Sequence, residues 1–199
     1  GTAMMPGIVP PLTNQDLSQV FADISEAEWA SEAINSLYDK GIVAGTDKNH
    51  FSPNDNITRE AYVKIIVGAF GLTSDDAKAK FIDVSNSHWA YKEINIANAL
   101  GVVEGISETE FGIGRAITRE DMMVIASRAI DKTDIRLKAI KEAEEFTDAA
   151  AISDYAKTAV KRLVEAGYVS GFEDGSVQPK GNTTRAQAAY VIYKLMGGK

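Results

Sequence analysis

The sequence predicts an all-α protein built from three helix–loop–helix repeats. Residues 21–71 align with residues 81–131 without a gap, and a third copy begins at Phe146. Within each copy, small and aliphatic residues recur at intervals of three and four, which is the period of one helix face. Internal repeats of this length indicate copies of one supersecondary unit that cannot bury its apolar face alone. We therefore expect the three copies to fold together as one compact domain.

The first helix of each repeat is predicted from an apolar stripe and a terminal glycine. In the first copy the stripe consists of four residues: Ala30, Ala33, Ile34 and Leu37. A glycine that can form a left-handed cap stands where each first helix should end: Gly41, Gly101 and Gly167. A second glycine follows in the polar loop of each copy: Gly45, Gly105 and Gly171. We expect these loop glycines to bring backbone N–H groups close to a ligand, to form tight turns with positive φ angles, or both.

The second helix begins at a Thr-Arg pair that occurs once per repeat, at residues 58–59, 118–119 and 184–185. A threonine at this place accepts a hydrogen bond from a backbone N–H without a partner in the helix, worth about 1 kcal/mol. The predicted helix caps are therefore Thr58, Thr118 and Thr184. A Glu or Gln three residues later would complete a capping box. That place holds Ala61, Asp121 and Gln187.

Capping does not explain the arginines of these pairs, which are three of only seven in the chain. A cation in the first turn faces the positive end of the helix dipole, which costs roughly a few tenths of a kcal/mol. The arginines are therefore expected to meet an anion. One candidate is an internal carboxylate of the Phe-x-Asp motif, at Asp23, Asp83 and Asp148. The other is an external acidic ligand, which arginine grips through two parallel hydrogen bonds, and the residues alone favour neither.

Two segments lie outside the repeats, which span residues 21–71, 81–131 and 146–197. Residues 1–20 lack the charged start and continuous apolar core of a signal peptide. They are predicted to be a linker or a cloning remnant, in which residues 13–20 form a short helix. Residues 132–145 are highly charged and have one thin apolar face, formed by Ile135, Ala139 and Ala143. They are predicted to form a surface helix that bridges the second and third repeats.

Composition excludes several classes of function. The net charge of −7 and the absence of a basic run argue against nucleic-acid binding, which requires clustered Lys and Arg. There is no cysteine, so disulfides, zinc–thiolate sites and cysteine nucleophiles are excluded. No apolar run approaches the roughly 18 residues that span a bilayer, so we expect no membrane insertion. Neither His50 nor His88 has a partner at a metal-ligand spacing, and we expect no metal and no cofactor.

Catalysis is not expected either. A glycosidase needs two carboxylates across one cleft, whereas Glu60 and Asp121 lie in separate repeats, each beside an arginine that favours the ionised form. The chain has no nucleophile elbow, phosphate loop or dinucleotide-binding motif. Trp29 and Trp89 stand at predicted helix starts, where tryptophan commonly packs into a core with its N–H on an acceptor. We expect core positions for both, with stacking of an indole edge on a sugar ring as the alternative.

The order of motifs in each copy resembles the S-layer homology (SLH) repeat. The shared motifs are Phe-x-Asp, Trp-Ala, Ile-x-x-Leu, Gly-Ile-Val-x-Gly, Phe-x-Pro and Ile-Thr-Arg-Glu. They are most complete in the first copy, and the resemblance covers residues 21–196. The family anchors surface-layer proteins and other exoproteins to bacterial cell walls. This resemblance implies a secreted protein of the cell wall or S-layer, of the Gram-positive type.

The resemblance also implies a pseudo-threefold spindle with a central three-helix bundle and grooves between neighbouring lobes. In this family the grooves bind secondary cell-wall polysaccharide, commonly with a terminal pyruvylated N-acetylmannosamine, and a Thr-Arg-Ala-Glu motif lines them. The motif arginines are then implied to pair with the pyruvyl carboxylate rather than with an internal acid. Together with the loop glycines and the tryptophans, the candidate ligand-binding residues are Arg59, Arg119, Arg185, Gly45, Gly105, Gly171, Trp29, Trp89, Glu60, Asp121 and Gln187.

Each copy departs from the family pattern in its own way. The first reads Thr-Arg-Glu-Ala, which places the acid one position early, at Glu60. The second replaces the Phe-x-Pro loop with "EFGIGRA" and adds Arg115. The third has Tyr155 in place of tryptophan and Gln187 in place of glutamate. Three identical sites are therefore not expected.

The predicted function is non-covalent anchoring of a surface protein to the cell wall through an acidic polysaccharide. Self-association into an S-layer is expected through the rest of the parent protein. The alternative is a structural self-assembly or protein-binding module whose arginines form internal salt bridges.

Overall fold

The computed structural model describes residues 21–198, which contain six α-helices and three short 3-10 helices. The α-helices are α1 (Ser31–Asp39), α2 (Arg59–Phe70), α3 (Tyr91–Ala99), α4 (Arg119–Ile130), α5 (Lys157–Glu165) and α6 (Arg185–Leu195). The 3-10 helices are Ile24–Ala30, Ala149–Ala151 and Asp154–Ala156. Over these residues extended pairing is limited to three isolated bridges. The all-α prediction is confirmed.

The first helix of each repeat forms where its apolar stripe indicated. Along α1 the stripe residues Ala33, Ile34 and Leu37 are buried in the core. After the helix, Gly41 adopts the left-handed conformation with φ 71° and donates its N–H to the carbonyl of Tyr38 at 2.9 Å. The corresponding glycines of the other repeats also have positive φ, 74° at Gly101 and 82° at Gly167. This turn reverses the chain and directs it into the loop that precedes the second helix.

The helices of one repeat do not pack mainly against each other. Helix α3 packs against α2, α5 packs against α4, and α1 packs against α6. Each pair therefore joins the first helix of one repeat to the second helix of the repeat before it, in a cycle that the third repeat closes on the first. Helix α2 also contacts α4 and α6.

A ring of three backbone hydrogen bonds closes the same cycle at the starts of the second helices. The N–H of Ile57 donates to the carbonyl of Thr183 at 2.9 Å, and the N–H of Ile117 donates to the carbonyl of Ile57 at 3.0 Å. The N–H of Thr183 completes the ring on the carbonyl of Ile117 at 3.1 Å. All three residues are buried. The ring and the helix pairs both link each repeat to the next and the third repeat back to the first. The spindle outline and the central three-helix bundle stay predictions.

The predicted bridging helix is wrong, because residues 132–145 contain no helix. The N–H groups of Ile140 and Lys141 donate to the carbonyl of Glu165, at 2.8 and 3.2 Å, and not to carbonyls within the segment. Ile135 and Leu137 pack against the core, a spacing of two that suits an extended chain rather than a helix. The expected apolar face is not buried, since Ala139 and Ala143 are exposed. The segment crosses the end of α5 as an irregular strap.

The short helix predicted at residues 13–20 lies outside the described residues. None of the helices between residues 21 and 198 is long and apolar enough to cross a membrane.

Candidate ligand-binding grooves

The three threonines of the Thr-Arg pairs cap the second helices. The hydroxyl of Thr58 accepts a hydrogen bond from the N–H of Ala61 at 3.2 Å, and that of Thr118 from the N–H of Asp121 at 3.3 Å. Thr184 accepts from the N–H of Gln187 at 3.1 Å. A capping box is completed only in the third repeat, where the side-chain oxygen of Gln187 also accepts a hydrogen bond from the N–H of Thr184 at 3.2 Å.

Each arginine of the Thr-Arg pairs reaches into the loop of the next repeat. Arg59 donates through Nε to the carbonyl of Phe111 at 3.2 Å and through Nη2 to the carbonyl of Glu104 at 2.9 Å. The other two arginines make the equivalent bonds: Arg119 to Val177 at 2.9 Å and Ser170 at 3.5 Å, and Arg185 to Phe51 at 2.9 Å and Ala44 at 2.8 Å. The guanidinium therefore acts as a clamp that joins neighbouring repeats.

An aromatic ring lies against each guanidinium. The Cζ atoms of Arg59, Arg119 and Arg185 stand 5.0, 4.7 and 4.7 Å from the centroids of phenylalanine rings, at Phe111, Phe172 and Phe51 respectively. Burial lowers the pKa of all three arginines, but arginine stays protonated in proteins because its ordinary pKa lies far above neutral pH. The clamps are thus fixed cations, held by carbonyls and by cation–π contact.

The aspartates of the Phe-x-Asp motif do not form the internal salt bridges that were the alternative for the arginines. Asp83 accepts hydrogen bonds from the backbone N–H groups of Phe111, Gly112 and Ile113, at 2.8, 2.8 and 3.1 Å. Partial burial acts to raise the pKa of Asp83, but these N–H groups outweigh it and hold the pKa below its ordinary value. Asp23 and Asp148 bind the same loop in their own repeats. These carboxylates fix the loop that each arginine clamps from the other side.

One cavity of about 440 Å³ surrounds Arg119. It draws on all three repeats: Trp29 from the first, Arg119 from the second, and the loop at Gly171 with Gln187 and Tyr190 from the third. We call this cavity the Arg119 groove. Among residues 21–198, Nη1 of Arg119 has no hydrogen-bond acceptor, so a cation that lines the groove keeps a donor without a protein partner.

A second cavity of about 420 Å³ surrounds Arg59 in the same manner. Its lining includes the loop at Gly105, and Asp121 and Tyr155 occupy the places of Gln187 and Trp29. We call it the Arg59 groove. Here Nη1 of Arg59 is not free, because Oδ2 of Asp121 lies 3.4 Å away. At Arg185 the equivalent sequence positions are held by Gly45, Ala61 and Trp89.

The expectation that the tryptophans lie in the core is wrong. Trp29 is 57% exposed and Trp89 is 55% exposed, and Tyr155 at the same place of the third repeat is 58% exposed. Trp29 lines the Arg119 groove and contacts Tyr190 edge to face, with centroids 5.7 Å apart. Trp29 lies within the 3-10 helix Ile24–Ala30, which is kinked at Ala27 and buries Ile24, Ala27 and Ala30 at intervals of three. Residue 29 therefore falls on the opposite, solvent-facing side.

The loop glycines do not have the positive φ angles that were expected of them. They are required instead by close packing. A Cβ atom on Gly105 would lie 2.3 Å from the carbonyl oxygen of Glu110 and 2.6 Å from the Phe81 ring. Gly45 and Gly171 are crowded in the same way, by Phe21 and Phe146 of their own repeats. The absent side chain lets the loop fold tightly over the motif phenylalanine, beside the arginine clamp.

Glu60 does not line either groove. Its carboxylate is buried and accepts the N–H of Gly114 at 2.8 Å, so it stabilises the loop of the second repeat. Glu120, at the same place of the second repeat, accepts from the N–H of Ser153 at 2.9 Å and from Lys180. Sequence reasoning also missed several groove residues, among them Tyr190 and Arg128. Both lie within second helices, and a polar side chain in an otherwise apolar helical stretch was the one available signal.

Comparison with known proteins agrees with this architecture. A family model described as "S-layer homology domain" matches residues 20–63, 80–123 and 145–189. The chain is 35% identical over 186 residues to an endoglucanase of Bacillus sp. (strain KSM-635). The aligned residues make up 92% of the chain and 20% of that protein. It is 31% identical over 193 residues to the S-layer protein sap of Bacillus anthracis, covering 96% of the chain and 23% of that protein.

A third relative is the surface-layer 125 kDa protein of Lysinibacillus sphaericus, 28% identical over 171 residues, 84% of the chain and 14% of that protein. The chain thus spans about a fifth or less of the length of most of the curated relatives it matches. The family match covers more than half of the chain and falls on each of the three copies. The chain belongs to the S-layer homology domain family, of which it carries three tandem repeats.

Proposed function

We propose that this chain anchors the protein that contains it to the bacterial cell wall, without a covalent bond, by holding an acidic secondary cell-wall polysaccharide in its grooves. The observation that carries the proposal is the Arg119 groove, where a buried cation that keeps one donor without a protein acceptor lines a cavity with exposed aromatic rings. The relatives add support, since proteins named as an endoglucanase and as an S-layer protein share this same part. A segment common to proteins of such different names is typical of an attachment module.

The chemistry of the groove suits an acidic sugar. Arg119 is already fixed by two carbonyls and by Phe172, so binding a carboxylate orders little that is not ordered before. Trp29 and Tyr190 offer flat apolar faces against which a sugar ring packs. The pyruvyl group of a terminal N-acetylmannosamine supplies a carboxylate next to such a ring. We propose it as the group that Arg119 recognises.

The net charge of −7 does not oppose this binding. Exposed charges more than about 10 Å apart are screened at ordinary ionic strength, whereas a cation at the cavity wall acts at short range. Several grooves on one chain would raise retention on a repetitive polymer through effective concentration. We propose no catalytic role, and the relatives named as enzymes match the chain over 20% of their length or less.

The test is calorimetric titration of the chain with purified wall polysaccharide, native and stripped of its pyruvyl groups. Because Arg119 also clamps a loop, the decisive variant is Trp29→Ala, which removes an exposed groove wall. Ile82→Ala is the matched control, since Ile82 is 77% exposed and lines neither groove. We expect binding that requires the pyruvyl groups, weakened by Trp29→Ala and unchanged by Ile82→Ala.

Binding that survives removal of the pyruvyl groups and is indifferent to Trp29→Ala would favour the alternative, a self-assembly or protein-binding module. Sedimentation of the chain without polysaccharide would then show association that depends on protein concentration. Unfolding midpoints of each variant, measured alongside, separate loss of binding from loss of structure.

A further inference from the structure

The two grooves differ in charge although they are built from equivalent positions. Among the residues that line the Arg119 groove, Arg119 is the one with a formal charge. The Arg59 groove contains two cations, Arg59 and Arg128, and two carboxylates, Glu104 and Asp121. The first groove therefore presents an uncompensated positive charge, and the second is balanced by its own acids.

The Arg59 cation is engaged on every nitrogen. Nε and Nη2 donate to the carbonyls of Phe111 and Glu104, and Nη1 faces Oδ2 of Asp121 at 3.4 Å. The other oxygen of Asp121 accepts the hydroxyl of Tyr155 at 2.6 Å. Tyr155 therefore holds Asp121 in the place where an incoming carboxylate would have to stand.

We call Asp121 held by Tyr155 the lock of the Arg59 groove. The Arg119 groove has neither residue at the equivalent positions. Gln187 stands where Asp121 stands, and its side-chain oxygen is engaged with the N–H of Thr184 in the capping box. Trp29 stands where Tyr155 stands, and no carboxylate lines this groove for its indole N–H to hold. The lock thus depends on two residues that occur together in one groove.

We infer that Asp121, held by Tyr155, closes the Arg59 groove to carboxylates, so that of these two grooves the Arg119 groove takes the acidic sugar. The inference rests on the proposed function and assigns the specificity to two side chains. A carboxylate entering the Arg59 groove displaces Asp121 or lies beside it, and like charges in a partly buried site repel strongly. Discrimination of this kind works by opposing the wrong site as much as by favouring the right one.

The experiment uses the full chain labelled with ¹⁵N and a pyruvylated N-acetylmannosamine monosaccharide as the probe. The backbone amides of Gly171 and Gly105 report on the Arg119 and Arg59 grooves, which they line. In the wild type we expect the Gly171 amide to shift with an apparent Kd at least about tenfold lower than that of Gly105. The same sugar without the pyruvyl group should shift the Gly171 amide only weakly.

Asp121→Asn removes the charge and keeps the size, and should tighten the response at Gly105 by about tenfold without altering Gly171. Tyr155→Phe should act in the same direction by releasing the carboxylate. Asp131→Asn is the matched control, because Asp131 pairs with Arg162 at the end of α4 and lines neither groove.

Equal wild-type affinities at the two glycines, or no change at Gly105 in both Asp121→Asn and Tyr155→Phe, would overturn the inference and leave the proposed function standing, since Gly171 still responds. If neither glycine responds to the pyruvylated sugar in the wild type, that result would instead count against the proposed function. Unfolding midpoints confirm that each variant is folded before its titration is interpreted.

Discussion

At the scale of single residues, each tight loop depends on a glycine, because there is no room for a side chain. Gly105 lies where a methyl group would meet two backbone carbonyls, those of Glu110 and Ser107, at 2.3 and 2.5 Å. Backbone atoms cannot rotate away as the end of a flexible side chain can. The tight loop beside each arginine therefore requires glycine for lack of space rather than for an unusual φ angle.

Gly105→Ala should lower the free energy of unfolding by on the order of 3 kcal/mol, as expected for overpacking in a well-packed site. Urea denaturation measures it. The matched control is Gly68→Ala in α2, where an added Cβ would meet nothing within 4 Å, so helix propensity should make that change neutral or stabilising by up to about 1 kcal/mol. Equal effects of the two substitutions would contradict the packing argument.

Residue roles were predictable from the sequence where the interaction is local. The threonine caps act over three residues, and their spacing alone identified them. The exposed position of Trp29 was not predictable, because it depends on the 3-10 turn that precedes α1, and tryptophan is compatible with both core and surface. The partners of Arg59 lie 45 and 52 residues away, beyond the reach of any local pattern.

At the scale of elements, each second helix holds the loop of the following repeat through its arginine. Arg185 makes this link across the longest separation, to Ala44 and Phe51, 141 and 134 residues distant. Lysine carries the same charge but cannot reproduce the planar fork or the stacking on Phe51. The clamp thus depends on guanidinium geometry and not on charge alone.

Arg185→Lys should loosen the loop of the first repeat. We expect faster amide hydrogen exchange in residues 44–51 and a loss of about 2 kcal/mol of stability, as for two hydrogen bonds from a charged group. Exchange followed by mass spectrometry locates the effect. Arg136→Lys serves as the control, because within residues 21–198 the exposed Arg136 donates only to the carbonyl of its neighbour Ile135. A similar change in that variant would refute the clamp.

Helices were predictable where an apolar stripe and a cap agreed, as in α1 and α6. The strap over residues 132–145 was predicted wrongly because its charges and its three-to-four spacing suited a helix. The N–H groups of Ile140 and Lys141 bind the end of α5 instead. A tertiary acceptor thus outweighed a weak local preference.

At the scale of the whole molecule, the repeats depend on one another in a closed cycle. Helix α1 packs against α6, and the N–H of Ile57 binds the carbonyl of Thr183. The first repeat is therefore incomplete until the third has been added. Such closure couples the repeats more tightly than in an open solenoid, where each repeat contacts only its neighbours.

A fragment of residues 21–131 should lose cooperative unfolding, because α1 lacks its partner helix and α4 lacks α5. Addition of a second fragment, residues 132–198, should restore a cooperative transition in differential scanning calorimetry. The full chain is expected to unfold in one transition. If the first fragment alone unfolds cooperatively at the midpoint of the full chain, the cyclic dependence is wrong.

The sequence by itself determined the three copies, the helix that each motif begins, the caps and the family. These features rest on interactions between residues a few positions apart, which the order of residues displays directly. The tertiary structure decided which helices pair and which carbonyls the arginines hold. It also decided that Asp121 faces Arg59 in one groove, while in another Gln187 leaves Nη1 of Arg119 without an acceptor among the described residues. Those outcomes depend on contacts between repeats, because each groove takes its walls from all three copies and exists only after the cycle has closed.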